Sequence, residues 1–259
     1  MTGRRLAGTA ASLVVLVGLL LGVGGPMTAA APVDGTLPPG AALPDDATCA
    51  ARVVDSGAEL RPANGPFNQT RGRIKPLPGP FLSRLSGNYT GTTDEIIQWA
   101  ACKWGIDADV VRAQAAQESS WFMSAAGDFT SDRRWCAPGH VPGGDGRPGC
   151  PESVGLMGVK FRYHGVAFPE AGQSTAYNLD YTLSVWRSCF EGQEQWLADH
   201  PPRSGYRAGD MWGCLGRWYA GDWRSGEALG YIGRVQANYH SRSWESAWFR
   251  ELTAPASAG

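Results

Sequence analysis

The sequence has no surplus of either charge: 23 Lys and Arg stand against 24 Asp and Glu in 259 residues. Without a basic excess nothing points to nucleic acid, and no such partner is expected. There is no Cys-x-x-Cys pair, so nothing suggests a zinc site. Asp145 beside Gly146 lacks the further oxygen ligands that a calcium loop requires. No metal and no cofactor are expected. A convincing strand pattern is also missing from the helical region, which leaves at most a short β-hairpin near residues 155–165 and makes the fold class mainly α.

What is present begins with an export signal. Arg4 and Arg5 precede an apolar run from Leu13 to Val23, and Thr28-Ala29-Ala30-Ala31 offers small residues for cleavage, so residues 1–30 read as a signal peptide. The uncharged stretch from Leu6 to Ala31 is also long enough for an uncleaved anchor, which is the second choice. Cleavage after Ala30 leaves 21 basic residues against 24 acidic ones. The expected product is a secreted or cell-envelope monomer with no stable membrane insertion. All six cysteines lie beyond the leader, and an even count in an exported chain favours disulfides. Proximity pairs Cys136 with Cys150, Cys189 with Cys214, and Cys49 with Cys102.

Residues 31–48, with Pro32, Pro38, Pro39 and Pro44 among Ala and Gly, read as a flexible linker. Residues 49–91 are rich in turn formers and read as a segment that wraps the domain. Asn68 and Asn88 open glycosylation sequons. Residues 92–250 form the main domain, and 251–259 a flexible tail. Thr93-Asp94-Glu95 starts a helix that Gly105 stops, and Asp107 caps the next. Residues 124–154 hold six glycines and four prolines, a composition expected to exclude regular structure, stapled by the first disulfide. Later helices are capped by Ser174, run from Ala208 to about Tyr219, and span Gly226 to Tyr239. His164 reads as a structural hydrogen-bonder.

The helix after Asp107 carries an oddity. Val111, Ala115 and Glu118 fall at i, i+4 and i+7, which puts a carboxylate on the apolar face. Either Glu118 is the solvated last residue of an ordinary helix, or it is a buried acid whose raised pKa suits proton transfer.

Four stations in order resemble the soluble lytic transglycosylase domain, a lysozyme-like family related to goose-type lysozymes. Glu118-Ser119 resembles its catalytic Glu-Ser; Gly155-Leu156-Met157 resembles the start of its Gly-Leu-Met-Gln motif. Trp218-Tyr219-Ala220-Gly221 resembles its Tyr-Asn-Ala-Gly, and Tyr231 with Val235 resembles its tyrosine-bearing last helix. The family's glutamine is Gly158 here, and its Tyr-Asn pair is Trp218-Tyr219, so the side-chain hydrogen bonds made there by glutamine and asparagine cannot be made in the same way.

The resemblance implies a lysozyme-like helical domain and peptidoglycan as partner and substrate. It implies cleavage between N-acetylmuramic acid and N-acetylglucosamine with a 1,6-anhydromuramyl end. Glu118 would be the sole acid and base, Ser119 its support, and Tyr231 its orienting partner. Gly155, Leu156 and Met157 would line the cleft, with Trp218 and Tyr219 beside them. The rivals are a muramidase in which Asp128 or Asp132 activates water, and a non-catalytic glycan-binding module.

Overall fold

A Thr92 hydroxyl that accepts from the Glu95 N–H, with the Glu95 carboxylate reaching back to the Thr92 N–H, makes a capping box. It starts α2, Thr93–Trp104, at the residue expected, and the helix ends at Gly105. The structure, a computed structural model, describes residues 35–69, 77–144, 146–199 and 205–253. The expected leader, the first residues of the linker and the last of the tail lie outside the described residues, as does Asp145. Ahead of α2 stands the short α1, Asp46–Ala50. Asp107 caps α3, Ala108–Ser119, with its carboxylate on the N–H groups of Asp109 and Val110.

The fold is mainly α, with a small three-stranded antiparallel sheet and three disulfides. The sheet goes beyond the expected hairpin. β1, Ala126–Thr130, pairs with β2, Cys150–Val154, which pairs with β3, Val159–Lys160. Two strands therefore arise from residues expected to hold no regular structure. The glycines and prolines concentrate between the strands, while Gly127, Asp128 and Pro151 within them hide any alternation. After β3 come α4, Phe161–His164, and α5, Thr175–Phe190, capped by Ser174. The remaining helices are α6, Trp196–Asp199; α7, Met211–Ala220; α8, Gly226–Ser241; and α9, Ala247–Glu251. α7 starts at an Asp210 cap, later than Ala208, and α1, α4, α6 and α9 were not foreseen.

Helix α5 is covered on nearly every side and packs on α2 and α7, while α3 packs on α8. The disulfides are Cys49–Cys102, Cys136–Cys150 and Cys189–Cys214, the pairs expected from proximity. They fit an extracellular protein. Among the described residues no helix is long and apolar enough to cross a membrane.

The linker reading fails for its described part. Leu37 donates its N–H to the Gly105 carbonyl at 2.9 Å, and the buried Arg187 guanidinium donates to the carbonyls of Leu37 and Pro38, both at 2.8 Å. A buried cation requires acceptors, and this strap supplies them as backbone carbonyls that composition does not reveal. In the segment after it, buried Arg61 donates to the carbonyls of Ser120 at 2.9 Å and Phe249 at 2.7 Å. Asn68 is buried and bonded to Glu59, so its sequon is not presented.

Asp180 of α5 is fully buried and collects four donors: Lys103 Nζ at 2.8 Å, Trp104 Nε1 at 2.7 Å, and the N–H groups of Ser86 and Gly87 at 2.9 and 3.0 Å. One carboxylate thereby ties the wrapping segment, α2 and α5. Asp180→Ala should cost about 3–5 kcal/mol in denaturant unfolding, because it strands these donors. A loss below about 1 kcal/mol would refute that role.

Candidate active site

Helix α3 delivers Glu118 in its last turn, one step before the chain turns sharply. Ser120 and Trp121 both adopt left-handed backbone conformations, with φ of 52° and 66°. Non-glycine residues hold this geometry only where neighbours enforce it. Here Arg61 binds the Ser120 carbonyl, and Asn64 binds the Trp121 carbonyl at 2.7 Å.

Val111 and Ala115 are buried, and Glu118 above them is partly covered. Tyr231 of α8, almost fully buried, donates its hydroxyl proton to Glu118 Oε1. The Tyr231 ring stacks on Tyr219 of α7, with centroids 4.6 Å apart and planes 3° from parallel. Arg234, one turn further along α8, lies over both rings at 5.6 and 5.9 Å.

Desolvation pushes the Glu118 carboxyl up to about 7. The Tyr231 hydrogen bond opposes this, the charge of Asp128 adds to it, and that of Arg234 opposes it. Glu118 keeps some solvent contact, so the push comes from crowding by protein atoms rather than from complete exclusion of water. Burial and the neighbouring Glu118 raise Tyr231 in turn, which keeps its hydroxyl a donor. An acid poised near neutrality that still meets solvent is able both to give and to take a proton.

The turn of residues 155–158, which joins β2 to β3, faces this acid. Ser119 Oγ donates to the Leu156 carbonyl at 2.8 Å, Asn178 Oδ1 of α5 accepts from the Met157 N–H at 2.9 Å, and Trp218 Nε1 donates to the Met157 carbonyl at 3.1 Å. Gly155 has φ of +83°, and a Cβ there would lie 2.3 Å from Asn178 Nδ2. Gly158 has φ of +59°, and a Cβ there would lie 3.0 Å from Glu118 Oε2. Bare backbone is therefore what this turn presents to the acid.

The anticipated site residues thus converge, with one correction. Leu156 and Met157 are fully buried, so their side chains fill the core and do not line a cleft. Their backbone is what bonds to Ser119, Asn178 and Trp218. Trp218 is partly buried and Tyr219 half exposed, so both reach the surface beside Glu118. His164 stacks on Trp218 at 4.9 Å and shares a hydrogen bond with the Tyr181 hydroxyl at 3.0 Å. Desolvation and then Arg217 push the imidazole down to about 4, which suits the structural role foreseen for it.

Of the two proposed second carboxylates, only Asp128 bears on Glu118. It sits on β1 with φ of 50°, and its Oδ2 accepts from Ser153 Oγ at 2.5 Å and lies 3.2 Å from Lys160 Nζ. Asp132 is turned to Arg134, whose hydrogen bonds hold its pKa down. Asn178 was not anticipated; its signal was a polar residue on a helix buried all round.

Two surface cavities, of about 240 and 270 Å³, lie elsewhere. The first is lined by Arg112 and Arg242, already paired with Asp94, Asp109 and Glu245. Among the described residues no group of three or more His, Cys, Asp or Glu side chains is placed to hold a metal ion. Comparison with known proteins gave no match: no family model fits the chain, and neither a curated protein nor a solved structure is significantly similar.

The raised pKa has a measurable consequence. The folded chain holds the Glu118 proton more tightly than the unfolded chain, so the contribution of Glu118 to stability falls as pH rises from the ordinary 4.5 to about 7 and is level outside that window. Glu118→Gln removes this ionisation, so its melting temperature should gain on the wild type more at pH 8 than at pH 4. An equal difference at the two pH values would show that the site does not raise the acid.

Proposed function

We propose that the protein is an exported lytic transglycosylase of peptidoglycan, built on a lysozyme-like plan. The observation that carries this reading is a single acid of pKa about 7, aimed by Tyr231 at a backbone turn that Ser119 and Asn178 hold. The resemblance of the stations around Glu118 supplies the substrate class.

In the first step Glu118 gives its proton to the glycosidic oxygen between N-acetylmuramic acid and N-acetylglucosamine. The bond from that oxygen to C1 breaks, and the carbonyl oxygen of the substrate's own acetamido group takes up the electron deficiency at C1. In the second step the Glu118 carboxylate removes the proton from the C6 hydroxyl, O6 bonds to C1, and the acetamido group is released. Glu118 ends protonated, no water is consumed, and the product carries a 1,6-anhydro end. Both steps use the same carboxyl group, and a pKa close to neutral serves giving and taking alike. Tyr231 donates to the carboxylate form and limits how far the pKa climbs.

Asp128 favours a second reading, a muramidase in which it activates water against the same bond, because its charge reaches Glu118. The two readings differ in product mass by one water. Purified peptidoglycan digested by the protein should yield anhydromuramyl ends in mass spectrometry; reducing ends would establish the hydrolase instead. Glu118→Gln should lower the rate at least about 10²-fold, and unchanged cleavage would end both readings. Binding without any fragment would leave a non-catalytic module.

For the transglycosylase the rate should fall above about pH 7 as Glu118 loses its proton. Asp128→Asn should keep activity while moving that limb to lower pH, since Asp128 raises the acid. A collapse of activity in Asp128→Asn would point to the hydrolase.

A further inference from the structure

Beside the acid, the sheet leads directly into an exposed cationic and aromatic surface that the proposed chemistry does not use. β3 leaves Gly158, which faces Glu118, and runs through Lys160 into α4, where Arg162 and Tyr163 are both exposed. Arg162 lies four residues from Gly158, so its Cα is at most about 15 Å away. It is within reach of a glycan bound at Glu118.

The Arg162 guanidinium packs over the Trp135 ring, 4.8 Å from the centroid. Trp135 itself is anchored. The next residue, Cys136, is bonded to Cys150 of β2, and Ala137 donates its N–H to the Pro151 carbonyl at 2.9 Å. A planar cation resting on a fixed indole loses little freedom when its N–H edge engages a ligand.

The charge of Arg162 is also unspent. It has no ion-pair partner among the described residues. Asp132, the carboxylate whose pKa it influences, is already bonded to Arg134 at 2.6 Å. Lys160, by contrast, serves Asp128 at 3.2 Å and Glu152 at 3.7 Å. Tyr163, the next residue along α4, is 71% exposed, and its ring lies 5.9 Å from Lys160 Nζ, so an aromatic side chain stands open next in sequence to the guanidinium.

We propose that Arg162, held flat by Trp135, and Tyr163 form a subsite for a carboxylate-bearing sugar of the substrate strand. The guanidinium takes the carboxylate in a two-pronged hydrogen bond, and the tyrosine ring takes the apolar face of the sugar. The inference rests on the reading of the substrate as a peptidoglycan strand, whose muramic acid residues carry a carboxylate on the lactyl group or at the end of a stem peptide. It assigns the disulfide-stapled loop a task, which is to immobilise Trp135 under Arg162.

The test uses soluble glycan strands of alternating N-acetylglucosamine and N-acetylmuramic acid, and the same strands with their carboxylates converted to amides. Binding is measured by calorimetry to the full chain carrying Glu118→Gln, so that turnover does not interfere. Adding Arg162→Ala should weaken binding of the acidic strand about tenfold and leave the amidated strand unchanged. Trp135→Ala should act in the same direction, and Arg162→Lys should restore part of the loss. Equal affinity of Arg162→Ala and its parent for the acidic strand, or an equal loss on both strands, would overturn the subsite, as would failure of the parent to bind either strand. Fragment release by the wild type reports separately on the cleavage reading: charge-dependent binding without fragments keeps the subsite and removes the enzyme.

Discussion

A buried amide must find partners for both of its ends, and Asn178 does so by holding a turn. It is fully buried on α5; its Nδ2 donates to the Ala171 carbonyl at 2.7 Å, and its Oδ1 accepts from the Met157 N–H. Leaving such a group unpaired costs on the order of 1–3 kcal/mol, which makes the turn's position a condition of stability. Gly155 follows from this, since any side chain there collides with the amide. Because Ser119 bonds the same turn from α3, the helix that delivers the acid and the helix that forms the core meet through one stretch of backbone. The acid is thus placed by hydrogen bonds, with little left to loop conformation.

Asp180, fully buried, and Glu118, partly covered, are two carboxylates with opposite fates, and the number of donors separates them. Asp180 receives four, one of them from the Lys103 ammonium, so it is a structural anion within a network that closes on itself. Glu118 receives one neutral donor, the Tyr231 hydroxyl, which does not compensate for its desolvation. The structure stabilises charge at one and withholds that stabilisation at the other. Burial alone therefore does not distinguish a catalytic carboxyl from a structural one; what surrounds it does.

Those surroundings explain which parts were legible from sequence. The five longer helices were, because the signals at Thr93-Asp94-Glu95, Asp107, Ser174 and Gly221 act on adjacent residues, whereas the short α1, α4, α6 and α9 were not. The disulfides were, because each joins cysteines that are consecutive along the chain. Glu118 and Tyr231 were visible through helical spacing and resemblance. The sheet was not: its strands contain Gly127, Asp128 and Pro151, and its order comes from pairing across the stapled loop. The strap at residues 35–48 was misread because its value lies in the carbonyls of Leu37 and Pro38, and every residue type has a carbonyl. Leu156 and Met157 were assigned to the cleft by motif, whereas their side chains complete the core and only their backbone meets the site. Long-range polar pairing is the common factor in what stayed hidden.

The remaining tension concerns Asp128, which is near enough to influence Glu118 yet already occupied. Its Oδ2 accepts from Ser153 and is paired with Lys160, so only Oδ1 is left to hold a water. A carboxylate tied down in this way is a poor candidate for mobile proton chemistry but a good fixed charge. In that capacity it makes ionisation of Glu118 harder and helps keep the proton in place. Lys160 then has a definite office: by anchoring Asp128 on the sheet it sets the distance at which that charge acts, and it leaves the neighbouring Arg162 as the cation free to meet a ligand. One acid, biased by a fixed anion and faced by bare backbone, is the arrangement that α3, α8 and the sheet build together.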